Sequence, residues 1–362
     1  LSGKKDASPS PNVLKGRVYA DIGTYTEVNY TLNHQGRRSA WTNRGHDVEV
    51  EDILGGNGLK FNQGCDLFPR SALFHEFVRR PNGNWDISPI ERTSDLWYLV
   101  NDQKKASCNG LIAENVDKNY IFDAFISKQL SPFYMANPAK VLIPGKKMNG
   151  QWKTLSATDR ALMNAGTSYV FNQIEDDPKT PETLEKYLKD AINIYGKLEK
   201  QNFATRDWLV LSNAGGSNPC AAYISLEAVD RARIIIDQTL YWYLAESEEE
   251  AIYIVGLLNS RAMAEAIADF QPEGGFGKRH IHTLPYKIIP KFNGEEAAHS
   301  DVVVKTRELI HEWAEACRNE EYAYLLQPNS GGLNRRRKRQ QSKIKNLGGY
   351  VEYEVACQLI FG

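Results

Sequence analysis

Short apolar runs mixed with isolated helical segments, without strict alternation of strand and helix, predict an α+β fold. The expected architecture is mixed short-strand sheets with packed amphipathic helices and a helical C-terminal segment. Turn-forming clusters of Gly, Asn and Pro between the apolar runs support the small sheets, and helical spacing beyond Asn293 supports the C-terminal part. The 362 residues suggest about two domains. Residues 1–14 read as a linker-like tail, 15–295 as an α+β region and 296–362 as a helical region with a basic segment.

The elements follow in order. Lys15 to Tyr30 alternates enough to predict strand, a polar loop runs from Asn33 to Asp47, and Gly55-Gly56-Asn57-Gly58 marks a turn. Cys65 to Val78 reads as a strand entered around Pro69, and Asn82-Gly83-Asn84 as a hairpin turn into Trp85 to Ile90. Leu96 to Val100 and Val141 to Pro144 read as strands, and Tyr120 to Lys128 as a strand or a short helix. Pro181 to Gln201 predicts one amphipathic helix, with Thr180 as N-cap and Leu184, Tyr187, Leu188, Ile192 and Tyr195 on one face. Trp208 to Ser212 and Ala221 to Leu226 are strands around the turn from Asn213 to Pro219, and Arg233 to Asp237 adds another.

Ser247 with Glu250 forms a capping box, and Ile252, Val255, Leu258, Met263 and Ile267 continue a helix to Phe270. Gln271 to Gly275 ends it, and a cationic loop then leads into a Pro-bounded strand. Asp301 to Cys317 is helical, with Val303, Val304, Ile310 and Trp313 available for packing. A basic run from Arg335 to Lys345 precedes an amphipathic ending at Tyr350 to Phe361.

The formal net charge of -1 excludes a uniformly basic nucleic-acid coat but leaves room for a local patch. The 5 cysteines are scattered, odd in number and without zinc-like or thioredoxin-like spacing, which points to reduced thiols. No apolar run has transmembrane length, and the polar start LSGKKDASPSPN is unlike a signal peptide. A cytoplasmic location is expected. The absence of an initial Met and the linker-like start suggest a piece of a longer protein.

The string GLLNS followed by GGFGKRHIHTLPYKIIPKF resembles the C-terminal part of large N6-adenine DNA methyltransferases of restriction-modification (type IIG-like) and phage-defence systems. Type I specificity subunits carry a looser version. Only Tyr241 to Phe292 and the ending Leu359-Ile360-Phe361-Gly362 match at motif level. The resemblance implies a DNA target recognition region, binding double-stranded DNA for a catalytic domain outside this chain. S-adenosylmethionine is expected in that domain, and no cofactor in this chain. The expected partners are therefore DNA and the catalytic domain, in the same longer chain or a separate subunit, with no membrane.

Methyl transfer itself needs a glycine-bearing cofactor loop and an Asp/Asn/Ser-Pro-Pro-aromatic tetrad that holds the flipped base. Ser131-Pro132-Phe133-Tyr134 departs at the second Pro, and no βαβ unit surrounds Gly55 to Gly58. No catalytic residue is assigned. For DNA contact, Pro69 would hold the backbone extended and aim Arg70 at a phosphate or guanine edge, or Arg70 is an ordinary edge-strand arginine. The glycine turn before Cys220 either binds an anion or only turns tightly. In the cationic loop, Lys278, Arg279, His280 and His282 are placed to meet phosphates or bases. His280 and His282 share one strand face, but no third ligand stands at metal-site spacing. Arg335, Arg336, Arg337, Lys338 and Arg339 read as phosphate contacts or as a solvated helix face. Two rival functions remain: an RNA or single-strand binding module using the 18 Tyr and 7 Trp as stacking platforms, and an assembly domain that docks a methyltransferase subunit.

Overall fold

A computed structural model describes residues 13–21, 24–35, 38–42, 58–101, 111–148, 151–177, 180, 182–215, 219–268, 273–274, 277–278 and 284–361. The fold class is α+β, as the sequence predicts. Strands β1 (Val13–Asp21), β2 (Thr24–Gln35) and β3 (Arg38–Thr42) form an antiparallel meander. After β4 (Asn62–Gln63) and the single turn α1 (Arg70–Leu73), a second meander joins β5 (Glu76–Arg79), β6 (Trp85–Ser88) and β7 (Ala113–Val116). Gly83 turns β5 into β6 at φ 87°, a conformation that favours glycine.

A mixed sheet has β8 (Ile121–Phe125) at its centre, and two short hairpins follow β8: β9 (Leu130–Ser131) with β10 (Tyr134–Met135), and, after β11 (Ala139–Leu142), β12 (Lys146–Met148) with β13 (Gln151–Lys153). β11 pairs antiparallel with one edge of β8. Helices α2 (Ala157–Ala161), α3 (Ala165–Glu175) and α4 (Leu184–Lys186) cover this half. The principal sheet then forms from β14 (Trp208–Asn213), β15 (Ala221–Ser225) and β17 (Leu240–Ala245), in the order β15-β14-β17-β4. Between them, β16 (Ile234–Ile236) returns to pair parallel with β8. This one strand ties the two sheets through sequence-distant partners.

Helix α5 (Glu248–Asn259) is the centre of the C-terminal half, and every residue from Glu250 to Leu258 is buried. It lies on β14, β15 and β17, with α8 (Ala297–Ala316) on its other side. α8 offers a buried stripe at helical spacing: Val302, Val303, Thr306, Leu309 and Trp313. Helices α6 (Arg261–Ala268), α7 (Leu284–Ile288), α9 (Glu320–Leu326), α10 (Leu333–Ile344) and α11 (Tyr350–Phe361) complete the cover, with α11 packed on α8 and α6. The resulting core takes residues from both sides of position 295, from Leu59 to Cys357.

Gly256 sets the approach of α5 to α8. A Cβ there would lie 2.2 Å from Thr306 Oγ1, far inside contact distance. The Tyr353 hydroxyl of α11 donates to the Gly256 carbonyl at 2.6 Å, so three helices meet at one residue. At the start of α5, Ser247 Oγ accepts from the Glu250 N–H at 3.1 Å, as the capping box requires. The Glu250 carboxylate reaches back to the Glu246 N–H rather than to that of Ser247, and also accepts from Tyr243.

Several expected elements differ. The helix expected to run to Phe270 breaks at Ser260, where α5 and α6 meet at 57°. Ser260 takes extended dihedrals, its hydroxyl donates to Leu257 O, and it accepts from the Met263 N–H, so one side chain ends α5 and starts α6. No single helix among the described residues is long and apolar enough to cross a membrane. Pro69 does not open a long strand: Arg70 to Leu73 form a helical turn, and strand resumes only at Glu76. Trp97 to Leu99 form a 3-10 turn instead of a strand.

The amphipathic helix expected from Pro181 to Gln201 is capped by Thr183 and winds as a π-helix from Tyr187 to Ile192. Asn193 stops it by accepting from the Leu198 and Glu199 N–H groups, and Tyr195, expected to pack, is 80% exposed at φ 59°. Leu284 to Ile288, expected as strand, is one helical turn that buries Leu284, Tyr286 and Ile288. On α8, Val304 is exposed and Val302 packs instead.

Gly256→Ala should destabilise the protein by about 1–3 kcal/mol through overpacking, read as a lower urea midpoint. Thr306→Ala in the same chain should recover part of that loss.

Candidate nucleic-acid interface

The segment Leu333 to Ile344 is built almost wholly of strong helix formers, Arg, Lys, Gln and Leu, and it forms α10. Gly331, at φ 116°, turns the chain into it, and Gly332 is the N-cap. With every residue from Asn334 to Lys343 polar, packing decides which side faces in.

The inward face is made of Arg336, Arg337, Gln340 and Ile344. Arg336 is 1% exposed and donates to Gln327 O at 2.9 Å and to Lys128 O. Arg337 donates to Leu130 O at 3.1 Å and to Ser127 O at 2.7 Å. Gln340 Nε2 donates to Ser131 Oγ at 2.8 Å and to Leu325 O at 2.7 Å. Among the described residues no carboxylate pairs with either arginine; backbone carbonyl dipoles serve instead. Burial, and then the neighbouring Arg337, push the Arg336 guanidinium down to about 10. Burial lowers Arg337 as well. Arg336 still carries its charge at neutral pH, held by a planar fork that a lysine could not reproduce.

The outward face is different. Arg335, Lys338, Arg339 and Lys345 are exposed; the first three stand at 3- and 4-residue spacing on one side of the helix, and Lys345, the C-cap, lies two turns beyond Lys338. Among the described residues no carboxylate lies within ion-pair distance of any of the four; the nearest pairing on this helix is Lys343 with Glu321 at 2.9 Å. The result is a short cationic ridge on a rigidly anchored rod.

The basic run therefore divides. Arg336 and Arg337, expected at the surface with their neighbours, are structural anchors, because the helix turns them into the Ile126 to Ser131 turn. Arg70 also points inward: its guanidinium pairs with buried Asp237 at 3.1 Å and reaches Leu99 O at 3.4 Å. Asp237 in turn accepts from the Thr239 hydroxyl and N–H. The outward aim expected of Arg70 is corrected by this pairing.

In the cationic loop, Gly277–Lys278 pairs with Glu273–Gly274 as a minimal hairpin. Arg279, His280 and His282 lie outside the described residues, as does the turn Gly55 to Asn57. The near-miss tetrad is the β9–β10 turn. Ser131 is buried against Gln340, and Phe133, at φ 61°, meets the Tyr353 ring edge-on at 5.9 Å. Cys220 and Ala221 are held from both ends: Asn213 Oδ1 accepts from the Cys220 N–H, while Asn259 accepts from the Ala221 N–H and donates to its carbonyl. This clamp was not visible in the sequence, although Asn259 is the Asn of GLLNS.

No protein-family model matches the chain, and no curated protein matches its sequence. Among solved structures it is similar to a type IIL restriction-modification enzyme, MmeI, determined in complex with DNA, with 10% identity and a TM-score of 0.39 over 96% of this chain and 44% of that one. It is also similar to a type IIG restriction endonuclease, BpuSI, with 15% identity and a TM-score of 0.35 over 85% of this chain and 31% of that one. The chain thus spans less than half the length of either.

Arg336→Met should cost about 1–3 kcal/mol by leaving buried carbonyls without a donor. Arg339→Met, on the ridge, should stay within about 0.5 kcal/mol of the parent. Urea unfolding of the two variants checks the assignment of faces.

Proposed function

We propose that this chain is the DNA target recognition region of an N6-adenine DNA methyltransferase or restriction-modification protein. It binds duplex DNA and positions it for a catalytic domain outside this chain, where S-adenosylmethionine would be held and methyl transfer would occur. The observation that carries this reading is the outward face of α10, where Arg335, Lys338, Arg339 and Lys345 stand exposed without acidic partners among the described residues. Cations so placed attract phosphates and release their counterions, which supplies affinity without reading sequence. The resemblance of Tyr241 to Phe292 to methyltransferase recognition regions supplies the class of partner, with Lys278, Arg279, His280 and His282 as the further contacts it implies.

The test is a gel shift on duplex DNA across salt concentrations. Lys338→Ala with Arg339→Ala should weaken binding to all sequences alike and reduce the salt slope by about 1 for each lost phosphate contact. Unchanged binding at low salt sinks the assignment of the ridge. The isolated chain should transfer no methyl group from S-adenosylmethionine, and measurable transfer overturns the division of labour.

A distinct observation favours docking of the catalytic domain on α11. Val351, Val355 and Leu359 form an exposed apolar stripe at four-residue spacing, 57% to 68% exposed. Val355→Asp should abolish co-elution with a separately produced catalytic domain and leave duplex binding unchanged; intact co-elution rejects this docking.

A further inference from the structure

A cleft of about 910 Å³ opens where the Arg92 to Asn101 segment faces the turn leading into α10. Its volume lies in the range of roughly 300–1,000 Å³ typical of small-ligand sites. Its lining is chemically uneven: Arg92, Lys128 and Arg335 contribute positive charge, Trp97 and Tyr98 contribute rings, and no carboxylate belongs to the wall. The nearby Asp95 is already engaged, accepting from Asn329 Nδ2 at 2.7 Å. Among the described residues neither Arg92 nor Arg335 has a carboxylate within ion-pair distance.

The Arg92 guanidinium carbon stands 6.0 Å from the centre of the Trp97 ring, so a flat cation and a flat ring share one wall. Gly331 and Gly332 also line the cleft, and a Cβ at either would meet nothing within 4 Å. Arg335 belongs both to this cleft and to the cationic ridge of α10, so the cleft is the end of the ridge rather than a separate feature.

We propose that this cleft takes one unpaired nucleotide of a DNA strand whose phosphates run along the ridge. The inference rests on the reading of the chain as a DNA-binding region and adds a site to it. An unpaired base has two exposed ring faces, which suit the Trp97 and Arg92 wall, and a flanking phosphate suits Arg335, while Lys128 adds positive charge with its ammonium held by Tyr98 O at 2.8 Å and Asn101 Oδ1 at 2.6 Å. Asn334 provides an amide group able to meet a base edge. A fully paired duplex offers the cleft only phosphates and leaves its ring wall unused.

Three probes separate the possibilities: a short paired duplex, the same duplex with one unpaired nucleotide, and oligo-thymidine. The parent protein should bind the bulged duplex about tenfold more tightly than the paired one, the scale of one base stacked on an aromatic side chain. Trp97→Leu, which keeps an apolar residue against the core, should erase that preference, and so should Arg92→Ala at an exposed position. Lys338→Ala with Arg339→Ala should weaken both duplexes equally and keep the ratio. Equal binding of the two duplexes by the parent, or a preference that survives Trp97→Leu and Arg92→Ala, overturns the cleft while leaving the ridge standing. If the parent binds neither duplex, the DNA target recognition reading fails; oligo-thymidine binding that Trp97→Leu abolishes would then support the cleft alone, and its absence would remove both.

Discussion

The approach of α5 to its neighbours at Gly256 is the constraint on which the C-terminal half depends. A helix buried on every side has no solvent face to absorb a misfit, so its position is fixed by the smallest residue on it. Gly256 lets α8 come close enough for Thr306 to fill the gap, and its buried carbonyl accepts from the Tyr353 hydroxyl. α11 is thereby registered against α5. Asn259, one turn later, locks the end of the same helix to the backbone of β15. The GLLNS string is thus a packing and clamping device that fixes α5 against α8, α11 and β15.

The second constraint is electrostatic. Two adjacent arginines in a protein interior usually call for acids, and here they have carbonyls of a tight turn and of Gln327 instead. Each guanidinium spreads its charge over several donors in a plane, and several acceptor dipoles replace the water it loses. Among the described residues no acid pairs with either arginine, so the exposed cations of α10 lie over positive charge that no carboxylate offsets, in a chain whose formal net charge is -1.

Much of the fold was legible because local chemistry and tertiary context agreed. The Ser247 half of the capping box formed, the Asn82-Gly83-Asn84 hairpin formed, and the strands around Asn213 to Pro219 appeared where the apolar runs stood. Failures fell where context overruled local pattern. Pro69 was read as a strand entry, yet the residues after it take a helical turn that brings Arg70 to Asp237. Leu284 to Ile288 has the length of a buried strand or of one helical turn, and periodicity cannot separate those two.

The basic run was harder still. When ten consecutive residues are polar there is no apolar phase to say which of them face in, so Arg336 and Arg339 looked alike. The cleft beside Trp97 was not legible at all, since its two walls are separated by more than two hundred positions in the chain, as the Asp95 to Asn329 bond illustrates.

The interleaving of anchor and ridge along α10 has a consequence for substitution. Neighbouring positions carry opposite duties: Arg336, Arg337 and Gln340 are hydrogen-bonded into the architecture, whereas the side chains of Arg335, Lys338, Arg339 and Lys345 are exposed and, among the described residues, enter no ion pair. The outer surface can therefore be substituted one position at a time while the rod keeps its place. A helix constructed in this manner is a mounting whose face is replaceable.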